Sequence, residues 1–335
     1  MKAYSVSRYG KAGAGFSDVP EPQPGEDDVL VEVHAAGMNP LDPKIRDGDF
    51  KLILPYRLPQ TLGNEFAGTV LRAGPKVTRF RAGDEVYGRP AKDRIGSFAE
   101  RIAVREGDLA VKPKNLSMQQ AASLPLVALT SWQALVEHGQ LKRGQKVLIH
   151  AGAGGVGTFA IQLAKHLGAT VATTTSTANI DLVKGLGADI VIDYRKDSFD
   201  TMLHGYDLVL HSLDPATLAK SFTVLKPGGK LVSISGPPDA AFAREAGMNW
   251  ALQQVMRLLS HGARKRAARQ QVDYSFLFMR ADGAQLAGMT PLFESGAIQP
   301  VIDRVFPFDA LPDAMAYQEQ GRAKGKVVVD VLTSR

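Results

Sequence analysis

Cysteine is absent from the 335 residues. That excludes disulfides, a thiolate nucleophile and any cysteine-ligated zinc or iron–sulfur site. Long apolar runs are missing too: no stretch reaches the roughly 18 residues that a membrane helix needs. The opening Met1-Lys2-Ala3-Tyr4-Ser5-Val6 lacks the apolar core of a signal peptide. A cytoplasmic location is expected on that basis. Histidines are few and scattered: His34, His138, His150, His166, His204, His211 and His261. No two stand at i,i+3 or i,i+4 and there is no HExxH, so no protein-bound metal is expected. Acidic residues are outnumbered 34 to 40, for a formal charge of +6. The excess is dispersed except at Arg264-Lys265-Arg266-Ala267-Ala268-Arg269. This run reads as a solvated helix end, with a polyanion patch as the alternative. Neither a membrane nor nucleic acid is expected as a partner.

What is present is ordinary globular composition, 44% hydrophobic and 22% charged, which is ample for a large core. The first 120 or so residues read as short strands broken by Gly and Pro. Val29-Leu30-Val31-Glu32-Val33-His34 alternates with period two, and further strands are expected at 66–73, 85–87 and 98–104. Ser117-Met118-Gln119-Gln120 has the form of a capping box, opening a helical stretch to about residue 138 that breaks near Pro125. From Gln145 onward strands and helices alternate. Strands are expected at 146–151, 170–175, 190–192, 208–211, 230–235 and 272–279. Helices are expected at 156–167, 180–186, 215–224 and, as one long element, 240–269. Two more helices (284–294, 312–320) and a last strand (326–331) follow. Alternation of this kind, with apolar strands, predicts a parallel sheet covered on both faces.

The stretch Lys146-Val147-Leu148-Ile149-His150-Ala151-Gly152-Ala153-Gly154-Gly155-Val156-Gly157 sits between an apolar strand and a helix. That is the context a GxGxxG dinucleotide fingerprint requires. Gly152 permits the tight turn, Gly154 lets the backbone approach a pyrophosphate, and Gly157 lets helix and strand pack closely. The helix N-terminus, with Ala153, Gly155 and Val156, offers N–H groups and partial positive charge to phosphate. The fold class is therefore α/β, with a Rossmann-type doubly wound parallel sheet at 123–280. A β-rich domain is built from 1–122 and 281–335.

After the second strand an NAD enzyme usually carries Asp or Glu for the ribose 2′-OH. Here Thr173-Thr174-Thr175-Ser176-Thr177-Ala178-Asn179 has no carboxylate. Thr175, Ser176 and Asn179 are neutral and suit a 2′-phosphate; Ser176 or Thr177 can also serve as a helix cap. Tyr194 and Arg195, after the third strand, are candidates to close over that phosphate. NADPH is the expected cofactor. His150 and His211 fall at strand ends, as proton relays or as hydrogen-bonded structural residues. Ser235 and Gly236 close the fifth strand at the edge where such sheets bind ligands.

Together these pieces resemble the medium-chain dehydrogenase/reductase superfamily, and most closely its zinc-free, zeta-crystallin-like quinone oxidoreductase branch. The markers span nearly the whole chain: Ala35-Ala36-Gly37-Met38-Asn39-Pro40-Leu41-Asp42, Gly63-Asn64-Glu65-Phe66-Ala67-Gly68, Ala121-Ala122-Ser123-Leu124-Pro125, the glycine fingerprint, Leu225-Lys226-Pro227-Gly228-Gly229 and Gly325-Lys326-Val327-Val328-Val329. The resemblance implies a GroES-like fold for the β-rich domain. Zinc relatives carry Cys just after the Gly37 equivalent and His in Gly-His-Glu; this chain has Met38-Asn39 and Gly63-Asn64-Glu65. Without a Lewis acid, alcohol oxidation lacks its means of forming an alkoxide. Quinones and α,β-unsaturated carbonyls need only a hydrogen bond where charge develops.

By the same resemblance Asn39 and Asp42 line the substrate cleft. Asn39 would bond the acceptor oxygen or the nicotinamide ribose, and Asp42 would hold Asn39 or Arg46. Lys44 is a candidate cation or proton donor to an enolate, or a surface lysine. Tyr56 is a further cleft candidate, or packing. Thr130 corresponds to a threonine near the nicotinamide, and Lys326 to a position approaching the NADPH phosphates. Ile180 stands where some relatives carry a lysine for the 2′-phosphate. The edge strand Val272-Asp273-Tyr274-Ser275-Phe276-Leu277-Phe278-Met279 is expected to pair across a two-fold axis, giving a homodimer. The expected activity is NADPH-dependent reduction of quinones or enones. Alternatives are an enoyl-thioester reductase, with the basic run at a phosphopantetheine or coenzyme A phosphate, and an NADPH-binding structural or RNA-binding protein.

Overall fold

The computed structural model describes residues 1–51 and 55–332. The chain divides into two compact units, Met1–Leu129 with Arg280–Arg335, and Thr130–Met279. Among the described residues the elements run in chain order as follows. The first unit opens with β1 (Lys2–Val6), β2 (Ala14–Asp18), β3 (Asp28–Met38), α1 (Leu41–Asp47), β4 (Gln60–Thr61), β5 (Phe66–Ala73), β6 (Glu85–Gly88), β7 (Arg101–Arg105), β8 (Leu109–Val111) and α2 (Met118–Ala122), and α3 (Pro125–Trp132) runs across the boundary. The second contains β9 (Lys146–Ile149), α4 (Gly155–His166), β10 (Thr170–Thr175), α5 (Ile180–Gly185), β11 (Ile190–Asp193), α6 (Phe199–Met202), β12 (Tyr206–His211), α7 (Pro215–Ser221), β13 (Leu225–Ser233), α8 (Ala240–Glu245), α9 (Trp250–Leu259), α10 (His261–Arg269) and β14 (Asp273–Phe276). The chain returns to the first with α11 (Gly283–Glu294), β15 (Ile302–Pro307), α12 (Leu311–Glu319) and β16 (Lys326–Asp330).

The long strand β3 organises the first unit. β5 lies along one side of it, antiparallel from Val29↔Ala73 to Ala36↔Phe66. The other side is shared: β7 pairs with the first half, and β16 with the last four residues, where Met38 faces Val327 and Gly37 faces Val328. β3 is buried over most of its length, which explains why its apolar residues continue past the alternating stretch. This register brings the residues just beyond three strand ends together: Asn39 after β3, Glu65 before β5 and Lys326 at the start of β16. The capping box forms as its sequence predicts. Ser117 Oγ accepts the Gln120 N–H at 3.2 Å and Gln120 Oε1 accepts the Ser117 N–H at 2.9 Å.

The second unit holds a sheet in the order β11-β10-β9-β12-β13-β14, every neighbouring pair parallel. Numbered within the unit, this is the 3-2-1-4-5-6 order of a dinucleotide-binding fold, whose ligand crevice opens beyond the carboxyl ends of the strands where the order reverses. Here that point lies between β9 and β12. Leu148, Ala172, Ile192, Val209, Leu218, Phe222 and Leu231 form one buried core on the sheet.

Three sequence expectations are corrected here. The single helix over 240–269 is three helices. Gly247, at φ 67°, turns the chain after α8, Asn249 accepts the Leu252 N–H at 3.0 Å to cap α9, and Ser260 closes α9 by bonding Met256 O at 2.9 Å. The strand expected at 98–104 starts later, at Arg101, and its edge counterpart at 272–279 shortens to β14. The apolar residues flanking both are buried outside the ladders, and burial without pairing looks the same as a strand in sequence.

Candidate active site and cofactor site

In the first unit the converging strand ends build a buried polar cluster. Lys326 Nζ donates to Asn39 Oδ1 at 2.5 Å, to Glu65 Oε1 at 2.6 Å and to Met38 O at 2.8 Å. Asn39 Nδ2 donates to the same Glu65 oxygen at 2.8 Å. The other Glu65 oxygen accepts the Leu126 N–H at 2.7 Å. Glu65 is fully buried and the Lys326 side chain is 5% exposed. A buried ion pair holds only when further hydrogen bonds satisfy both partners, and here they do. Gly37 makes the space: a Cβ there would lie 2.4 Å from Glu65 Oε1 and 2.6 Å from Ala122 O.

Asp42, at the start of α1, completes the cluster. Its Oδ2 accepts the Asn39 N–H and its Oδ1 accepts Asn64 Nδ2, both at 2.7 Å. Burial drives its carboxyl up to about 7, although both donors and the nearby Lys326 favour ionisation. Asp42 therefore holds Asn39 and Asn64, and not Arg46. Arg46 turns to Asp47 and Glu319, each at 2.7–2.8 Å. The amide of Asn39 faces inward: its oxygen is taken by Lys326, one N–H by Glu65, and the second N–H has only a long 3.4 Å contact with Gly37 O.

Lys326 requires a correction. All three of its N–H donors are committed inside this cluster, so the ammonium has none left for a phosphate. Lys44 and Tyr56 do not hydrogen-bond to it, although Tyr56 lies near enough to feel the Asp42 charge. Lys44 is exposed on α1, 6.0 Å from the Phe50 ring. Tyr56 donates its hydroxyl to Lys92 O at 2.7 Å, and burial pushes that phenol well above its ordinary range. Two members that sequence reasoning left out of the site are Glu65 and Asn64, and a buried arginine, Arg89, lies near enough to feel the charges of Glu65 and Asp42. Arg89 is 2% exposed, gives Nη1 to Pro90 O at 2.7 Å, and has an Nε with no hydrogen-bond partner. Burial lowers its affinity for a proton, while the fields of Tyr56, Asp108, Glu65 and Asp42 raise it. An Arg-Pro pair in a loop carries no mark of burial in sequence; Glu65 and Asn64 were visible in Gly63-Asn64-Glu65.

In the second unit the glycine loop joins β9 to α4 at the switch point. Gly154 precedes α4 and supplies no side-chain cap. The first helical bond runs from Thr158 N–H to Gly154 O at 2.9 Å. The N–H groups of Gly155, Val156 and Gly157 thus form an open first turn, suited to an anion. Gly157 fits because a Cβ there would lie 2.3 Å from Ala151 O. Gly152 and Ala153 complete the turn and are buried. These features fit the pyrophosphate of a dinucleotide.

The loop after β10 carries the residues expected at the adenosine end. Thr175 is buried, and Asn179 Nδ2 lies 3.3 Å from Ser176 Oγ. Asn179 Oδ1 is buried without a partner, so this amide has hydrogen-bonding capacity to spare. Tyr194, 60% exposed, and the exposed Arg195 follow β11 beside it. Space adds a carboxylate that the β10 loop lacks in sequence. Asp193, the last residue of β11, accepts from Thr177 Oγ1 at 2.5 Å and from the Arg195 N–H at 3.1 Å. The Thr177 hydroxyl holds its carboxyl below the ordinary range, so it is charged, but it is buried, bonded to the β10 loop through Thr177 and to its own loop through Arg195. Ser235 Oγ donates to Leu213 O at 2.7 Å, and the Gly236 N–H to Ser233 Oγ at 2.8 Å, which sets the exit of β13. Thr130 is buried within α3.

His150 and His211 are structural. His150 lies 3.1 Å from Thr174 Oγ1 and 2.9 Å from Ser221 Oγ; His211 lies 2.9 Å from Ser233 Oγ and 3.2 Å from Asp214 O. Both ring nitrogens of each are occupied. Burial lowers them to about 3 and about 4, so both are neutral at physiological pH.

Comparison with known proteins agrees with this geometry. Residues 25–114 match the alcohol dehydrogenase GroES-like domain, and residues 186–329 match a model described as zinc-binding dehydrogenase. The chain is 38% identical over 344 residues to the 2-methylene-furan-3-one reductase of Solanum lycopersicum, covering 98% of this chain and 79% of that protein. It is 36% identical, with the same coverage, to the chloroplastic NADPH-dependent alkenal/one oxidoreductase of Arabidopsis thaliana. The solved quinone oxidoreductase of Coxiella burnetii superposes with a TM-score of 0.87 at 31% identity, covering 99% of both chains. The match to the zinc-binding description concerns the fold. Asn64 stands where zinc relatives carry histidine, and the chain has no cysteine. It belongs to the quinone oxidoreductase branch of the medium-chain dehydrogenase/reductase superfamily, and it is an oxidoreductase that uses a nicotinamide cofactor.

Proposed function

We propose that this enzyme reduces quinones or α,β-unsaturated carbonyls with NADPH and without a metal ion. The observation that carries the reading is the Asn39–Glu65–Lys326 cluster. Amides and an ammonium group occupy the neighbourhood that zinc ligands fill in zinc relatives, and an ammonium already neutralises Glu65. That donor set suits hydrogen bonding to an acceptor oxygen and not Lewis acidity. Bound NADPH would supply the hydride.

The protein's own part is positioning. Lys326 and Glu65 fix the Asn39 amide in one orientation, and its second N–H, held only by the long contact to Gly37 O, is the least committed donor of the cluster for charge developing on an acceptor. The open turn of α4 would bind the pyrophosphate. Ser176, Asn179, Tyr194 and Arg195 would hold a 2′-phosphate, which favours NADPH over NADH. The names of the tomato and Arabidopsis relatives support the acceptor class. β14, at the edge of its sheet, supports a homodimer joined through that edge.

A panel of acceptors tests the reading: NADPH oxidation with 1,4-naphthoquinone, a 2-alkenal and crotonyl-CoA, with and without a chelator. Turnover of the first two, indifferent to chelation, is expected. Turnover of crotonyl-CoA alone would make the enzyme a thioester reductase. Binding of NADPH with no turnover of any acceptor would remove the reductase assignment.

A further inference from the structure

α9 and α10 present a surface that the reductase reading does not use. α9 buries Met256 and half-buries Leu252 and Gln253. One flank of the helix is apolar and open to solvent: Val255 is 46% exposed, Leu258 75% and Leu259 56%, and Trp250, at the first turn, is 73% exposed. Exposed aliphatic side chains clustered on one helix flank mark a binding surface. A groove of about 710 Å³ runs beside them, lined by Gln254, Arg257, Leu258, His261, Arg264 and Lys265. Between Glu245 and Asp273 there is no acidic residue, while Arg257, Arg264, Lys265, Arg266 and Arg269 all fall in that span.

We infer that the α9–α10 face docks on the surface of an anionic lipid bilayer. An apolar arc edged by tryptophan and flanked by Lys and Arg, with no acid, is the pattern of a helix lying in a membrane interface. The leucines enter the acyl boundary while the cations meet lipid phosphates. Charge decides between occupants. A second copy seated on this face about a two-fold axis would bring two rows of cations together. Nucleic acid would satisfy the cations and leave Val255, Leu258 and Leu259 uncovered. This revises the expectation of no membrane partner: the contact is peripheral, and among the described residues no helix is long and apolar enough to span a bilayer.

Flotation of the full chain with vesicles tests the inference, using phosphatidylcholine alone and phosphatidylcholine with about one-third phosphatidylglycerol. The protein is expected to float with the anionic vesicles only, less so as salt is raised, with a blue shift of tryptophan emission. Arg257→Glu with Lys265→Glu should lower partitioning by about 25-fold or more, about fivefold per lost cation. Leu258→Ser should weaken it as well, and circular dichroism should show both variants folded. Failure of the wild type to float, or flotation unchanged in both variants, overturns the inference. So does a fall in solution mass on Leu258→Ser, which would show a second copy covering the patch. Retention on duplex DNA that Leu258→Ser leaves intact would assign the face to nucleic acid instead.

Discussion

Replacing Asp42 by asparagine should remove a specific pH dependence of stability. Asp42 is fully buried, and burial raises its carboxyl to about 7 in the folded protein. In the unfolded chain it ionises near its ordinary value of about 3.9. The folded state therefore keeps a proton that the unfolded state has lost between about pH 4 and pH 7. The contribution to stability is complete below about pH 4, falls as pH rises through about 7, and is flat above. Three pH units correspond to about 4 kcal/mol. Asp42→Asn is neutral throughout. Its amide oxygen can keep the Asn39 N–H bond, and its NH₂ can donate to Asn64 Oδ1, which has no partner in the native protein, once the Asn64 amide turns over. Scanning calorimetry from pH 4 to pH 8 reads the difference. The variant should match the wild type at pH 4 and exceed it by up to about 4 kcal/mol at pH 8. Parallel profiles would show that Asp42 is not held protonated by burial. A variant weaker by about 2 kcal/mol or more at pH 4 would show that its hydrogen bonds cannot be remade.

Other consequences are open to measurement. Lys326→Met leaves Glu65 buried without its cation and should cost about 3–5 kcal/mol in calorimetry; adding Glu65→Gln should recover most of that, and a double variant as weak as the single would contradict the pairing argument. Gly157→Val places carbon where Ala151 O stands, so dinucleotide affinity, measured by fluorescence titration, should fall at least about tenfold, roughly 1.4 kcal/mol; unchanged affinity would show that the close approach is dispensable. Arg195→Ala should raise the KM for NADPH by about tenfold and leave that for NADH unchanged; equal changes would mean that Arg195 does not meet a 2′-phosphate.

Much of the second unit was legible because its signals are local. A strand, four glycines and a helix start lie within 12 consecutive residues, and their order alone implies the turn. The first unit was legible only in part. Asn39 and Asp42 stand three residues apart and share a motif, but their partners arrive by β pairing, which short-range pattern does not encode. The reversal in the reading of Lys326 has that origin: nothing near it in sequence announces that β16 lies against the end of β3. Asp193 was overlooked for a related reason. The fingerprint argument inspects the end of β10, whereas parallel pairing of β10 with β11 brings a carboxylate from 18 residues beyond Thr175 to the Thr177 hydroxyl.

The interleaved chain order of the two units has a consequence for synthesis. Thr130–Met279 is one continuous segment and can complete its sheet as soon as β14 has emerged. The other unit cannot. β3 lacks its β16 neighbour, and Glu65 its ammonium partner Lys326, until about 200 further residues have been made. At about 5–20 residues per second that is a delay of about 10–40 s. Through it the nascent chain carries a buried-type carboxylate with no cation and a sheet with an open edge. The segment Met1–Leu129 is thus the part of the newborn chain that needs protection from aggregation, and β16 is the strand that ends the exposure.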